Sequence, residues 1–311
     1  MRILLFVLLF VGLGAVCSEL QASTSDETTK KKPAGFRWVN RMNEAEQRRT
    51  PHVKHAVFRS SSMGVEVGYC IYLPPQYEQS TARFPVVYYL HGGRPGSEKK
   101  SIGLCSLIDR NIRASDVPPM IYVFVNGGPV SHYNMPGDPG SQGADIFIRE
   151  LIPHVDSTYR TIAERGGRGL EGFSQGGRGT ARLMFRYPEL FCSASPGGGG
   201  HATELRISES GGAESEKLVF ARGDNTWDLA RRYSEQLRRG SISKPLRILV
   251  HVGDRGFNYQ NNLEWMKHLD SLGIKHERLI VPGAEHSARQ IYEASGQQIM
   301  RFHAQNFGLL H

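Results

Sequence analysis

A serine lies at the centre of Gly172-Phe173-Ser174-Gln175-Gly176-Gly177, with a glycine two residues before it and another two after. A hydroxyl set on a sharp strand-to-helix turn can serve as a nucleophile. Such a turn strains the backbone, and residues without a Cβ let strand and helix approach around it. In a chain with 35 Gly this five-residue pattern is weak by itself. Its flanks make it informative. RGLEGFS ends as a strand and QGGRGTARLMFRYP begins as a helix, which would aim its free N–H groups at the reacting oxygen. The plain alternative is a serine that only caps a helix.

Acyl transfer at such a serine needs N–H donors aimed at a developing oxyanion. One falls to Gln175, directly after the nucleophile. The other falls to the Gly92–Arg94 stretch of Tyr89-Leu90-His91-Gly92-Gly93-Arg94-Pro95-Gly96, at the end of an apolar strand, with Gly93 as the candidate. His91 precedes this loop and is expected to pack rather than act as a base. A serine at neutral pH needs an imidazole beside it. Of the 12 His, His286 in Pro282-Gly283-Ala284-Glu285-His286-Ser287 best fits the chain order Ser, acid, His. The acid is expected after the preceding strand, in Val252-Gly253-Asp254-Arg255-Gly256-Phe257, which makes Asp254 the candidate. Asp224 and Glu285 are poorer ones.

These residues need a scaffold. The stretches His55–Arg59 and Gly64–Leu73 read as an antiparallel hairpin. Apolar runs bounded by turn residues follow at Phe84–Leu90, Met120–Val125, Gly169–Phe173, Leu246–Val252 and Arg278–Val281, as expected of strands buried on both faces of a parallel sheet. Helical spacing separates them at Ala144–Tyr159 (interrupted by Pro153), Gln175–Tyr187, Thr226–Arg239, Asn261–Leu272 and Ile291–Phe307. Alternating strands and helices predict an α/β fold with a mostly parallel central sheet, an N-terminal antiparallel hairpin and helices on both faces.

Composition sets the outer bounds. The chain has 311 residues, 39% hydrophobic and 22% charged, as a globular protein does, which excludes a disordered chain, a collagen and a multi-span membrane protein. The 38 Lys+Arg against 30 Asp+Glu give a net charge of +8, dispersed apart from Lys30-Lys31-Lys32. No basic stripe interleaves with aromatics, so no nucleic-acid partner is expected. Met1–Val16 (MRILLFVLLFVGLGAV) has one basic residue, an apolar run and small residues beyond, and predicts an export signal over 1–22. Residues 23–36 are a polar lead-in, and 37–311 are expected to form one catalytic domain. The expected location is secreted or periplasmic, without stable membrane insertion after cleavage. An oxidising compartment would allow one disulfide and a free thiol among Cys70, Cys105 and Cys192.

With these pieces in place, the chain resembles the esterase D-like family of α/β-hydrolases, which includes feruloyl and acetyl-xylan esterases, enterochelin esterases, S-formylglutathione hydrolases and mycolyl transferases. The likeness runs over about residues 50 to 310. It is carried by ELIPHVDSTYRTIAERGGRGLEGFSQGGRGTARLMFRYPELF (150–191), LHGG (90–93) and LIVPGAEHS (279–287). It implies an α/β-hydrolase fold, Ser174 as nucleophile, His286 as base, and oxyanion donors near Gly93 and Gln175. One position departs from the family. The acid commonly stands three residues after the glycine ending its strand, and here that position is Gly256. Either the turn is rearranged so that Asp254 reaches His286, or the orienting acid is missing.

Together these features predict a serine carboxylic-ester hydrolase that works through an acyl-enzyme and needs no metal or organic cofactor. The expected substrate is a small-molecule or carbohydrate ester, with an acyl group on extracellular carbohydrate as one candidate. Tyr133, beside His132 in the loop Gly127–Gly143, is a candidate for contacting it, as are Trp227 and the Gly197–His201 loop. The alternatives are an acyltransferase of mycolyl-transferase type and a weakened, hydrolase-like binding protein.

Overall fold

The apolar runs become the strands of one eight-stranded sheet in the order β1-β2-β4-β3-β5-β6-β7-β8. In the computed structural model the described residues are 35–50, 52–130, 132–135, 137–201 and 223–310. The expected export signal, Cys17 and residues 23–34 of the expected lead-in lie outside them.

After helix α1 (Glu44–Arg49), strands β1 (Val53–Arg59) and β2 (Glu66–Tyr72) form the expected hairpin, with Val53 opposite Tyr72 and Arg59 opposite Glu66. Strand β3 (Val86–Leu90), helix α2 (Cys105–Arg113) and strand β4 (Ile121–Val125) follow. β2 meets β4 antiparallel, and from β4 to the far edge every pairing is parallel. The fold is that of an α/β-hydrolase.

The Ala144–Tyr159 pattern is one continuous helical path with a local widening. A short turn α3 (Gly143–Asp145) passes through a π-helical stretch (Ile146–Leu151) into α4 (Ile152–Thr158). The widening sits just ahead of Pro153, whose ring has no N–H to give the preceding turn. Beyond it lie β5 (Arg168–Phe173), α5 (Gln175–Arg186), β6 (Ser193–Gly197), α6 (Thr226–Arg238), β7 (Arg247–Gly253), α7 (Tyr259–Ser271), β8 (Glu277–Val281) and α8 (Ala288–Asn306).

Strand β6 and helices α1 and α2 are absent from the sequence expectations. β6 reads Ser-Ala-Ser-Pro-Gly, with no β-branched residue and a proline. It forms because β5 and β7 flank it and leave little room. A Cβ on Gly197 would stand 1.8 Å from His251 Nε2. Tertiary packing overrides propensity here.

The sheet divides the core in two. One cluster contains Leu90, Leu170, Ala181, Leu183, Tyr233 and Trp265, beneath α4 to α7. The other contains Phe124, Phe173, Ile108, Tyr292, Ile299 and Met300, beneath α2 and α8. Side chains of this size each contribute about 1.5–3 kcal/mol on full burial. Cys70, Cys105 and Cys192 are all free and buried, so the described residues contain no disulfide between them. Each is packed into the sheet or an adjoining helix and behaves as a small hydrophobe.

Candidate active site

β5 delivers Ser174 to the carboxyl end of the sheet, and α5 begins at the next residue. Ser174 adopts φ 60°, ψ −120°, a conformation that side-chain-bearing residues rarely take. The strain is held from both sides. Ser174 N–H donates to Gly197 O at 2.8 Å, and Arg178 N–H donates to Ser174 O at 3.0 Å. Gly176 lets the helix start this close to the sheet, since a Cβ there would lie 1.9 Å from Leu90 O. The serine side chain makes no capping bond to the helix, which removes the helix-cap alternative.

The hydroxyl instead faces an imidazole 112 residues away: Ser174 Oγ lies 2.8 Å from His286 Nε2. His286 is reached through β8 and the Pro282–Glu285 turn, and Ser287 then caps α8 by accepting from Gln290 N–H at 3.3 Å. The ring packs against Phe173 and Phe257, at centroid distances of 4.9 and 4.2 Å. Burial pushes its pKa down to about 4, so the ring is neutral at ordinary pH.

The other ring nitrogen does not meet Asp254. His286 Nδ1 lies 3.1 Å from Oδ1 of Asn258. The Asp254 carboxylate accepts the Gly283 N–H at 2.7 Å, and its residue is exposed. The expectation that Asp254 orients the base is therefore corrected. The turn after β7 runs along the turn after β8, with Asp254 N–H on Val281 O and Arg255 N–H on Ala284 O. That alignment directs the Asp254 side chain at the neighbouring backbone. Asn258 lies farther along the same turn, next to α7, where it points inward and is buried. A search for a carboxylate passes over it. The available signal was its place in the turn between Gly253 and α7.

On the opposite side, Gly92 presses against the nucleophile. A Cβ on Gly92 would stand 2.9 Å from Ser174 Cβ and 3.0 Å from Phe173 O. His91 Nε2 accepts N–H groups from Ser97 (3.3 Å) and Gly127 (3.2 Å). The proton is therefore on Nδ1, which donates to Gly92 O at 3.1 Å. Lys100 Nζ donates to the same carbonyl at 3.4 Å. Because the peptide is planar, anchoring this oxygen turns the Gly93 N–H to the opposite side. Burial first, then the charge of Lys100, lowers the His91 pKa to about 4. His91 is thus a neutral brace of the loop, in line with the sequence. Gln175, the other expected donor, is the first residue of α5, where a backbone N–H points out of the helix end rather than into its ladder.

Tyr133 and Trp227, the expected substrate contacts, both make packing contacts. Tyr133 is buried, with the Arg182 guanidinium 4.3 Å from its ring centroid. Trp227 Nε1 donates to His201 O at 2.9 Å, and its ring packs on His268 at 4.6 Å. His132 is buried and donates from Nε2 to His91 O at 3.0 Å. The Gly197–His201 loop is pinned by asparagines: Asn258 Nδ2 donates to Gly198 O, Asn262 Nδ2 to Gly199 O at 2.8 Å, and His201 N–H donates to Asn261 Oδ1 at 2.6 Å. Asp224, one of the poorer acid candidates, pairs with Arg182 and Arg186.

Residues 60–305 match the family model described as "Putative esterase". An esterase of Mycobacterium tuberculosis (strain ATCC 25618 / H37Rv) is 32% identical over 276 residues, covering 80% of this chain and 58% of that protein. The chain thus spans little more than half the length of that relative. An endo-1,4-beta-xylanase/feruloyl esterase of Xylanibacter ruminicola is 31% identical over 150 residues, 45% of this chain and 20% of that protein. Among solved structures, a ferulic acid esterase superposes with a TM-score of 0.68 at 21% identity, over 82% of this chain and 98% of that one. The S-formylglutathione hydrolase of Staphylococcus aureus superposes with a TM-score of 0.64 at 18% identity, over the same 82% and 98%. At these identities the structural likeness is one of fold.

Proposed function

This chain belongs to the esterase family, and from that premise we propose that it is a serine carboxylic-ester hydrolase acting through Ser174 and His286. The observation that carries the assignment is the 2.8 Å approach of His286 Nε2 to a Ser174 hydroxyl held on a strained turn. In the proposed reaction Ser174 Oγ attacks the ester carbonyl while its proton passes to His286 Nε2. The carbonyl oxygen becomes an oxyanion, held by the N–H groups of Gly93 and Gln175. Collapse breaks the bond to the alcohol, which leaves with the proton from His286. Water then gives a proton to His286 and attacks the acyl carbon. The bond to Oγ breaks, Oγ recovers the proton, and the carboxylic acid departs.

The proposed substrates are esters carried by carbohydrate outside the cytoplasm. Support comes from the feruloyl esterase names among the relatives and from the export pattern of Met1–Val16. The Ser174–His286 hydrogen bond favours an enzyme over a hydrolase-shaped binding protein. The test is hydrolysis of p-nitrophenyl acetate and methyl ferulate by the intact chain and by Ser174→Ala. Turnover by the parent that falls at least about 10³-fold in the variant supports the assignment. Equal turnover removes it.

A further inference from the structure

We propose that Asn258 is the positioning residue of the base, so that the site is an uncharged Ser174–His286–Asn258 relay in which an amide takes the place of a carboxylate. The inference rests on the esterase mechanism above and adds a member to it.

Three contacts determine which way the amide faces. Asn258 Nδ2 donates to Gly198 O, a carbonyl that can only accept. The amide NH2 must therefore face Gly198, and Oδ1 is left to face His286 Nδ1 at 3.1 Å. An amide oxygen can only accept, so the imidazole proton sits on Nδ1. Nε2 is then unprotonated and faces Ser174 Oγ at 2.8 Å, ready to take its proton. The backbone of Asn258 is held as firmly: its carbonyl accepts from Asn262 N at 3.1 Å and from Asn262 Nδ2 at 2.8 Å. Asn262 Nδ2 also reaches Gly199 O, so one side chain ties α7 to the loop that orients the amide.

The same contacts explain why a carboxylate is absent. An aspartate at 258 would turn an oxygen, with no proton to give, toward the Gly198 carbonyl. Two acceptors would face each other in a buried place. The site is therefore built for one donor and one acceptor on the same side chain, which an amide supplies.

An amide orients the base but brings no charge to the imidazolium formed during attack. Among the described residues, the groups that face His286 are Ser174 at the start of α5, Phe173 at the end of β5, and Phe257 and Asn258 ahead of α7. None of these four is charged. The nearby carboxylates are exposed: Asp254 bonds to Gly283 N–H, and Glu285 sits beside His286 on its own loop. Burial then disfavours the charged ring without an opposing partner, consistent with a pKa near 4. The base stays active in acid that would protonate an imidazole paired with a carboxylate.

The experiment measures acylation by p-nitrophenyl acetate and labelling by a fluorophosphonate from acid to neutral pH, in the intact chain, Asn258→Asp and Asn258→Leu. Asn258→Asp is expected to move the acid limb of kcat/KM upward by about one pH unit or more, because the added charge favours the imidazolium. Asn258→Leu is expected to lower kcat about 10²-fold or more with little change in KM, because nothing then selects the tautomer. An Asn258→Asp profile that overlays the parent, or an Asn258→Leu rate equal to it, overturns the proposal. Should the leucine variant fail to fold, the nitrogen NMR spectrum of His286 in the parent decides the point. A proton on Nδ1 supports the relay, and a proton on Nε2 overturns it. Failure of the parent to label at Ser174 removes the esterase assignment, while the NMR measurement still judges the orientation of the ring.

Discussion

The Asp254 carboxylate accepts the Gly283 N–H at 2.7 Å and thereby clasps the loop that carries His286 without touching the imidazole. A residue that steadies the loop and one that orients the ring have different kinetic signatures. Asp254→Ala is expected to lower kcat/KM less than about tenfold. Loss of an orienting carboxylate in a triad costs about 10⁴-fold. Steady-state kinetics with p-nitrophenyl acetate separate the two. A loss near 10³-fold or beyond would return Asp254 to the orienting role.

Gly92 lies against the nucleophile in the oxyanion loop. Adding a Cβ would bring it to 2.9 Å from Ser174 Cβ and 3.0 Å from Phe173 O, so the loop must shift. Gly92→Ala is expected to lower kcat about 10²-fold, as expected when an oxyanion donor moves out of line. The melting temperature should move by only a few degrees, because the contact is local. Unchanged kcat would show that the loop relaxes freely.

Glu171 lies in β5, three residues before Ser174, and is fully buried. Tyr292 OH donates to it at 2.7 Å, yet desolvation dominates and raises its pKa from 4.5 to about 8. The folded state thus binds this proton more tightly than the unfolded chain. Its stabilising effect is complete below the ordinary carboxylate range and is lost as pH rises through about 8. Each tenfold gain in proton affinity on folding corresponds to at most about 1.4 kcal/mol of stability. Glu171→Gln should flatten the fall in stability between about pH 5 and 8, read as the denaturant midpoint at each pH. An identical slope in both proteins would contradict the buried, protonated carboxyl.

Arg182 in α5 is almost fully buried and pairs with Asp224 Oδ2 at 2.5 Å while donating from Nε to Asp224 O at 2.8 Å. It also lies over Tyr133. Removing one partner of a buried pair leaves the other charge under-compensated, which typically costs about 3–5 kcal/mol. Arg186, on the second Asp224 oxygen at 2.8 Å, should hold the loss at the lower end of that range. Arg182→Met is therefore expected to cut stability about 3 kcal/mol in chemical denaturation. A loss below about 1 kcal/mol would mean that Arg186 alone satisfies Asp224.

The parts of this protein that local sequence determined are those whose physics is local. Apolar runs of strand length specify β3, β4, β5 and β7, because such residues are stable when covered on both faces, and the edge strand β8 carries a shorter run in which Leu279 and Val281 are buried. The glycines around Ser174 announce a tight turn, because close backbone approach tolerates no Cβ. Strand β6 was not legible, since Ser-Ala-Ser-Pro-Gly pairs only because two stronger strands enclose it. For Tyr133 and Trp227, expected as candidate substrate contacts, the packing was not legible: Tyr133 is buried and the half-buried Trp227 bonds to His201 O, contacts that depend on distant chain.

Residue type and chain order alone single out Ser174 and His286, since a weak nucleophile calls for an imidazole from the loop after the last strand. Which side chain steadies that imidazole was decided only by the tertiary structure. Asp254 and Asn258 share one turn, and hydrogen bonds across it, to Gly283 on one side and Gly198 on the other, send the carboxylate outward and the amide inward. Those partners are far away along the chain, so no local pattern carries the choice.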